Sequence, residues 1–207
     1  MNKKSSLIVG IILVISISVA TYFTFTMPQQ QQTTTSTVSD ASVSIGGAFE
    51  LTNHQNETVS SQDFIGKYML VYFGFTRCPD VCPTDMAVMT EALNALDQKA
   101  LEKVQPIFIT IDPERDTPDM VNEFVGNFHP NFVGLTGEKT VVDEVVKQYR
   151  VYTEKLESQE PAQENNYMMN HSAFIYLMDR RGNYFTHFSS QQATSTEIAQ
   201  KLKSILG

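Results

Sequence analysis

Apolar and polar positions fall into blocks along the chain, and the blocks read as structural elements. Leu7 to Phe25 is broken only by small or hydroxyl residues. At about 1.5 Å per residue it gives roughly 28 Å of helix, one bilayer core. Lys3 and Lys4 precede it, which places residues 1–6 in the cytoplasm, 7–25 across the membrane and the remainder outside. Ser18, Val19 and Ala20 also match a cleavage signal, so a removed signal peptide is the rival reading. Both readings put the rest of the chain outside the cytoplasm. Residues 26–44 carry four glutamines from Gln29 and then Thr33, Thr34, Thr35, Ser36 and Thr37. Such a stretch has too little apolar surface to order itself and reads as a flexible linker.

Periodicity changes from residue 45 onward. Phe49 and Leu51 mark a short strand, Asn53 to Asn56 a turn, and Val59 to Phe64 the approach to Gly66 and Lys67. Met69 to Phe73 is an unbroken apolar run, the signature of a strand buried on both faces. Met86, Met89, Leu93 and Leu96 then form one face of a helix. Val104 to Ile111 is a second strand, running into the charged turn DPERDTP. Thr117 caps a helix with Pro118 at its first position, Asp119 in its first turn and Met120, Val121, Phe124 and Val125 as its apolar side. Phe132 to Leu135 is a short strand, and Val141, Val142, Val145, Val146 and Tyr149 form a helical stripe.

A long polar excursion from Glu157 to Asn170 leads to an apolar strand, Ala173 to Met178, a turn at Arg180 to Asn183 and a strand from Tyr184 to Phe188. Thr194 and Glu197 have capping-box spacing before a last helix with Ile198, Leu202 and Ile205 on one face. Strand and helix in alternation, then a hairpin and a terminal helix, predict an α/β domain over 45–207, a central sheet with helices on both faces. A thioredoxin-like arrangement fits, with its chemistry at the end of a central strand and the start of the next helix.

Composition narrows the function. Fifteen basic against 23 acidic residues give a net charge of −8, which argues against nucleic acid as a partner. A domain of about 160 residues holds a core without a staple, so the two cysteines, Cys78 and Cys82, ask for a chemical reason. They follow the central strand four positions apart, each with a proline next. With Cys82 in the first turn of a helix, both sulfurs reach one side at bridging or chelating distance. The helix N-terminus and Arg77 both favour thiolate, while Asp80 between the cysteines opposes Arg77 in sign. Outside the cytoplasm such a pair persists as a disulfide, exchanges with other thiols, or binds a soft metal.

His171, just before an apolar strand, is the candidate third ligand, returned to the cysteines' end by parallel-sheet topology. Two sulfurs and one nitrogen suit three-coordinate Cu(I), and Cu(II) with an added oxygen. Structural zinc asks for a fourth protein ligand, and none is evident. Met86 and Met89 are soft donors, yet their helical spacing reads as core. His54, His129 and His187 read as structural or surface residues, and Tyr72 and Phe75 as packing. Asp112, Glu114, Arg115 and Asp116 line the site or guide docking, or form a solvated loop with capping duties. Polar Glu157 to Asn170 reads as a loop that moves His171, or as a passive surface insertion.

Four stretches, YFGFTRCPDVCPTDM, FITIDPERDTPDMV, FVGLTG and NHSAFIYLMDRRGNY, together resemble the SCO/SenC/PrrC family, the copper-binding assembly factors of cytochrome c oxidase. The similarity spans about Gly46 to Leu206. It implies a thioredoxin-like domain behind a membrane anchor, with copper held by Cys78, Cys82 and His171. It further implies help in assembling the Cu(A) centre of oxidase subunit II, or, as the alternative, a dedicated thiol-disulfide reductase in which Cys78 and Cys82 are catalytic. A periplasmic copper donor or a thiol reductant is the implied second partner. The implied location is the bacterial inner membrane with the domain in the periplasm, ahead of the mitochondrial inner membrane facing the intermembrane space. Where the family commonly has Val-Asp before its histidine, this chain has Met169 and Asn170, which removes a negative charge beside His171.

Overall fold

The computed structural model describes residues 44–156, 167–190 and 192–207. The expected membrane span 7–25, nearly all of the linker 26–44 and most of the polar excursion lie outside the described residues. Among those described, no helix is long and apolar enough to cross a membrane.

Strands β1 (Glu50–Asn53) and β2 (Thr58–Ser60) form a hairpin. A 3-10 turn over Ser61–Phe64 follows, closed by a reciprocal capping box between Ser60 and Asp63. β3 (Tyr68–Gly74) leads through the cysteine loop into α1 (Val81–Asn94). A single turn, α2 (Gln98–Leu101), precedes β4 (Val104–Thr110). Then come α3 (Pro118–Val125), β5 (Val133–Thr136) and α4 (Lys139–Gln148). Thr117 accepts the Met120 N–H at the start of α3, as the Thr-Pro pattern expects. β6 (Thr153–Leu156) and β7 (Met168–His171) pair with each other, and β8 (Phe174–Met178), β9 (Tyr184–Ser189) and α5 (Ser195–Leu206) complete the chain.

Seven strands form one sheet in the order β2-β1-β5-β4-β3-β8-β9, while β6 and β7 form a separate two-stranded sheet. β3, β4 and β5 are parallel; β8 runs antiparallel to β3. Every residue of β3 after Tyr68 is buried, which is why its sequence shows no alternation. On one face Tyr72 and Phe108 lie side by side, with Cys82 of α1 against Gly74 and Phe124 of α3 against Phe108. α5 packs on α1. On the other face Phe73 meets Tyr149, which closes α4, and Tyr176 of β8. Helices therefore cover both faces. Met86 and Met89 are core residues, both fully buried.

Two sequence expectations change. The excursion before His171 is not loop throughout: Met168–His171 is strand, paired so that His171 stands opposite Thr153. Its return to the cysteines comes from the antiparallel sense of β8. A residue just ahead of an antiparallel strand lies at the C-terminal end of its neighbour β3.

Candidate metal centre

β3 ends at Gly74 and the chain turns over Phe75–Asp80 before α1 begins. Two features fix this loop. The Cys78 N–H bonds to the Phe75 carbonyl at 3.2 Å. Asp116 takes Thr76 from both sides, accepting its N–H at 2.9 Å and its hydroxyl at 2.6 Å. Asp80 stands at the N-cap of α1 but makes no capping bond with its side chain. The Cys78 sulfur takes that place, accepting the Cys82 N–H at 3.3 Å from the first turn of the helix.

The two thiols are consequently unequal. The Cys82 thiol, hydrogen-bonded to Cys78, draws the Cys78 pKa down to about 5. Burial opposes the shift, and the N–H groups of Asp80 and Cys82 and the His171 ring reinforce it. Cys82 moves the other way, pushed up first by its bond to Cys78 and then by its burial. Cys82 is 0 % exposed, whereas Cys78 is partly open. Both are free thiols. Arg77 is exposed and is not among the groups that lower Cys78. Asp80 acts through its backbone N–H, so the sequence-level contest between two side-chain charges is replaced by backbone dipoles and a shared thiol proton.

His171 completes the cluster. Its Nδ1 lies 3.0 Å from the Ser172 carbonyl, a pure acceptor, so Nδ1 carries the proton and Nε2 keeps its lone pair. Nε2 stands 3.7 Å from Cys82 Sγ. Burial lowers the His171 pKa and favours the neutral ring. Tyr72 and Phe75 wall the imidazole edge-on at 6.4 and 6.3 Å between ring centres. They are packing residues, as expected, and one of the things they pack is the histidine. The Asp85 carboxyl and the Tyr72 phenol are both buried, and burial raises the pKa of each. The phenol interacts with Cys82.

The three expected donors thus lie together as two contacts, Cys78 with Cys82 and Cys82 with His171. Among the described residues no three His, Cys, Asp or Glu side chains are already closed to metal-chelating distance. The donor set is soft, two sulfurs and a neutral imidazole whose other nitrogen is fixed by a carbonyl, which is the chemistry Cu(I) prefers.

The remaining histidines have other partners. His54 Nδ1 accepts the Gly134 N–H at 3.0 Å and His129 Nδ1 the Asn131 N–H at 3.1 Å, while His187 lies on edge strand β9 beside Tyr184. The charged turn is no solvated loop: Asp112, Arg115 and Asp116 are buried. Sequence reasoning did not single out Tyr167, which the turn grips. Its only signal was an aromatic residue at the end of a polar run.

The SCO1/SenC family profile matches residues 37–207. The SCO2-like protein of Rickettsia felis is 39% identical over 166 residues, 80% of this chain and 79% of that protein. The structure of Bradyrhizobium japonicum ScoI with copper bound is 40% identical, covers 77% of this chain and 98% of that one, and has a TM-score of 0.70. Yeast Sco1 with copper bound is 35% identical, covers 78% of this chain and 87% of that one, with a TM-score of 0.70. With the profile spanning residues 37–207 and a relative 39% identical over 80% of the chain, the chain belongs to the SCO1/SenC family.

Proposed function

We propose that this chain is a copper metallochaperone that assists assembly of the Cu(A) centre of cytochrome c oxidase subunit II, carrying copper as cargo on Cys78, Cys82 and His171. The observation that carries the reading is the neutral His171, its Nε2 lone pair held 3.7 Å from Cys82 Sγ with Nδ1 committed to a carbonyl. A dithiol working by exchange alone needs no third donor atom there and would use that imidazole only as a base for the Cys82 proton. Relatives solved with copper bound, at 40% and 35% identity, support the same reading. The domain at 45–207 is thioredoxin-like in this proposal. Residues 7–25 anchor it in the bacterial inner membrane, and 26–44 tether it in the periplasm within reach of subunit II and a copper donor.

A dedicated thiol-disulfide reductase that keeps the subunit II cysteines reduced is the second reading. One observation favours it: Cys78 is a partly open thiolate, pKa about 5, backed by a buried thiol, which is the arrangement of an attacking and a resolving cysteine.

Anaerobic Cu(I) competition against a calibrated chelator separates the two. With the reduced full chain, one tightly held copper per chain is expected, lost in Cys78→Ser and Cys82→Ser and weakened in His171→Ala with the fold intact. Copper retained at the wild-type level in all three variants overturns the site. Affinity indifferent to His171 moves the function to dithiol exchange.

A further inference from the structure

The hairpin that carries His171 is not part of the main sheet. β6 and β7 hydrogen-bond only to each other among the strands described, and two short strands alone are marginally stable. The two residues that join His171 to β8 fix that end of the pair, and side chains of the charged turn after β4 hold the rest over the cysteines. Asp112 Oδ1 accepts the Tyr167 hydroxyl at 2.6 Å, and Oδ2 pairs with Arg115. Arg115 Nη1 donates to the Tyr167 carbonyl at 2.8 Å, and its guanidinium carbon lies 3.5 Å from the centre of the Tyr167 ring. Lys155 of β6 places its Nζ 3.9 Å from the same ring centre.

Hydroxyl, carbonyl and ring of one residue are thus all held, and that residue immediately precedes β7, whose last member is His171. The same turn grips the other half of the site. Asp116, also bonded to the Thr110 hydroxyl at 2.6 Å, holds Thr76 two positions ahead of Cys78. Residues 112–116 therefore connect the sulfur-bearing loop to the imidazole-bearing hairpin through buried, charge-assisted bonds.

We infer that Tyr167 is a positioning residue: clasped by Asp112 and Arg115, it sets the reach of His171 to the cysteine sulfurs. The inference rests on the metal reading above and deepens it. A tyrosine rather than a phenylalanine is required, because the ring alone packs equally well and only the hydroxyl reaches Asp112. Losing that hydroxyl lets the hairpin populate positions where Nε2 is out of range, and apparent affinity falls in proportion to the competent fraction. One net hydrogen bond corresponds to about a fivefold change in the closed-to-open equilibrium of the hairpin, which is the ceiling on the loss of apparent affinity.

The test uses the reduced full chain as wild type, Tyr167→Phe, His171→Ala and the double variant, each titrated anaerobically with Cu(I) against a chelator. Tyr167→Phe is expected to weaken copper by up to about fivefold when His171 is present and to change nothing in the His171→Ala background. No weakening, or equal weakening in both backgrounds, overturns the inference, since the tyrosine then does not act through the histidine. A metal-free measurement stands beside it: amide hydrogen exchange of β6 and β7 should accelerate in Tyr167→Phe while β3 and α1 keep wild-type protection. Unchanged hairpin exchange also overturns it. Cys78→Ser serves as the control for the metal reading. If that variant keeps wild-type copper, the metal reading fails and the exchange measurement alone decides whether Tyr167 holds the hairpin.

Discussion

Replacing Cys78 by serine isolates the consequence of a thiolate at the start of α1. Serine keeps a small acceptor for the Cys82 N–H but does not ionise. With a folded pKa of about 5, Cys78 is ionised in the native protein at pH 6 and above, whereas an unfolded thiol stays protonated until about 8.5. The unfolded state therefore binds one more proton throughout that interval. The contribution is complete above the unfolded pKa and is lost as pH falls through the folded one, so it rises between the two. At about 1.4 kcal/mol per unit, the two units from pH 6 to pH 8 give a ceiling of about 2.7 kcal/mol. Solvent screening at a partly open sulfur brings this to about 1.4 kcal/mol. Cys82 is pushed up in the wild type by Cys78 and by burial, and in the serine variant its burial still acts in the same direction. Urea unfolding of reduced wild type and Cys78→Ser at the two pH values measures the gap directly. It should widen by about 1.4 kcal/mol toward pH 8. A gap that stays constant or narrows refutes the argument that the helix terminus and the Cys82 thiol hold Cys78 as thiolate.

Two further substitutions test the frame around the site. Gly74→Ala sets a methyl 3.0 Å from both Cys82 Sγ and the Tyr72 ring and 3.1 Å from Phe108, all fully buried. It should destabilise by about 1 to 2 kcal/mol in urea unfolding, and an unchanged midpoint would show that the sulfur yields freely. Arg150 follows α4 with φ +57, the residue that lets the Val151 N–H return to the Val146 carbonyl at 3.0 Å. Arg150→Gly should raise stability by about 1 kcal/mol in thermal melts, and a lowered melting temperature would mean the arginine side chain makes a contribution that outweighs its backbone strain.

Much of the domain was legible because its signals are local. Met69 to Phe73 shows a strand buried on both faces, and Thr117 with Pro118 shows a helix start, without reference to any distant residue. That Cys78, Cys82 and His171 lie together was legible for a different reason: two cysteines at helical spacing leave few alternatives, and His171 stands at the mouth of an apolar strand. What escaped depended on partners far along the chain. Asp112, Arg115 and Asp116 read equally as site lining or as a solvated turn until Tyr167, 55 positions from Asp112, is seen to pack on Asp112 and Arg115. Strands β6 and β7 escaped because each is four residues long with Glu154, Lys155, Met168 and Asn170 exposed or partnered outside the main core, so neither pattern nor length marks them. The sense of β8 escaped because an apolar run records burial and not direction.

Burial decides the order in which any partner meets this site. Cys82 is fully enclosed and His171 is walled by Tyr72 and Phe75, so the partly open Cys78 is the first group a copper donor or a partner thiol encounters. It is also the group already ionised at neutral pH, and therefore the better nucleophile and the better soft ligand of the pair. Copper transfer and disulfide exchange would begin from the same state, with charge on Cys78 and a proton on Cys82. They diverge at the second step, when Cys82 must lose that proton. In exchange it attacks the mixed disulfide, and the imidazole serves at most as the base that takes its proton. In the proposed metal uptake the proton would leave and His171 Nε2 would supply the third donor. The same fold therefore supports both chemistries up to the moment His171 is engaged, and the clasp on Tyr167 holds the hairpin that presents it.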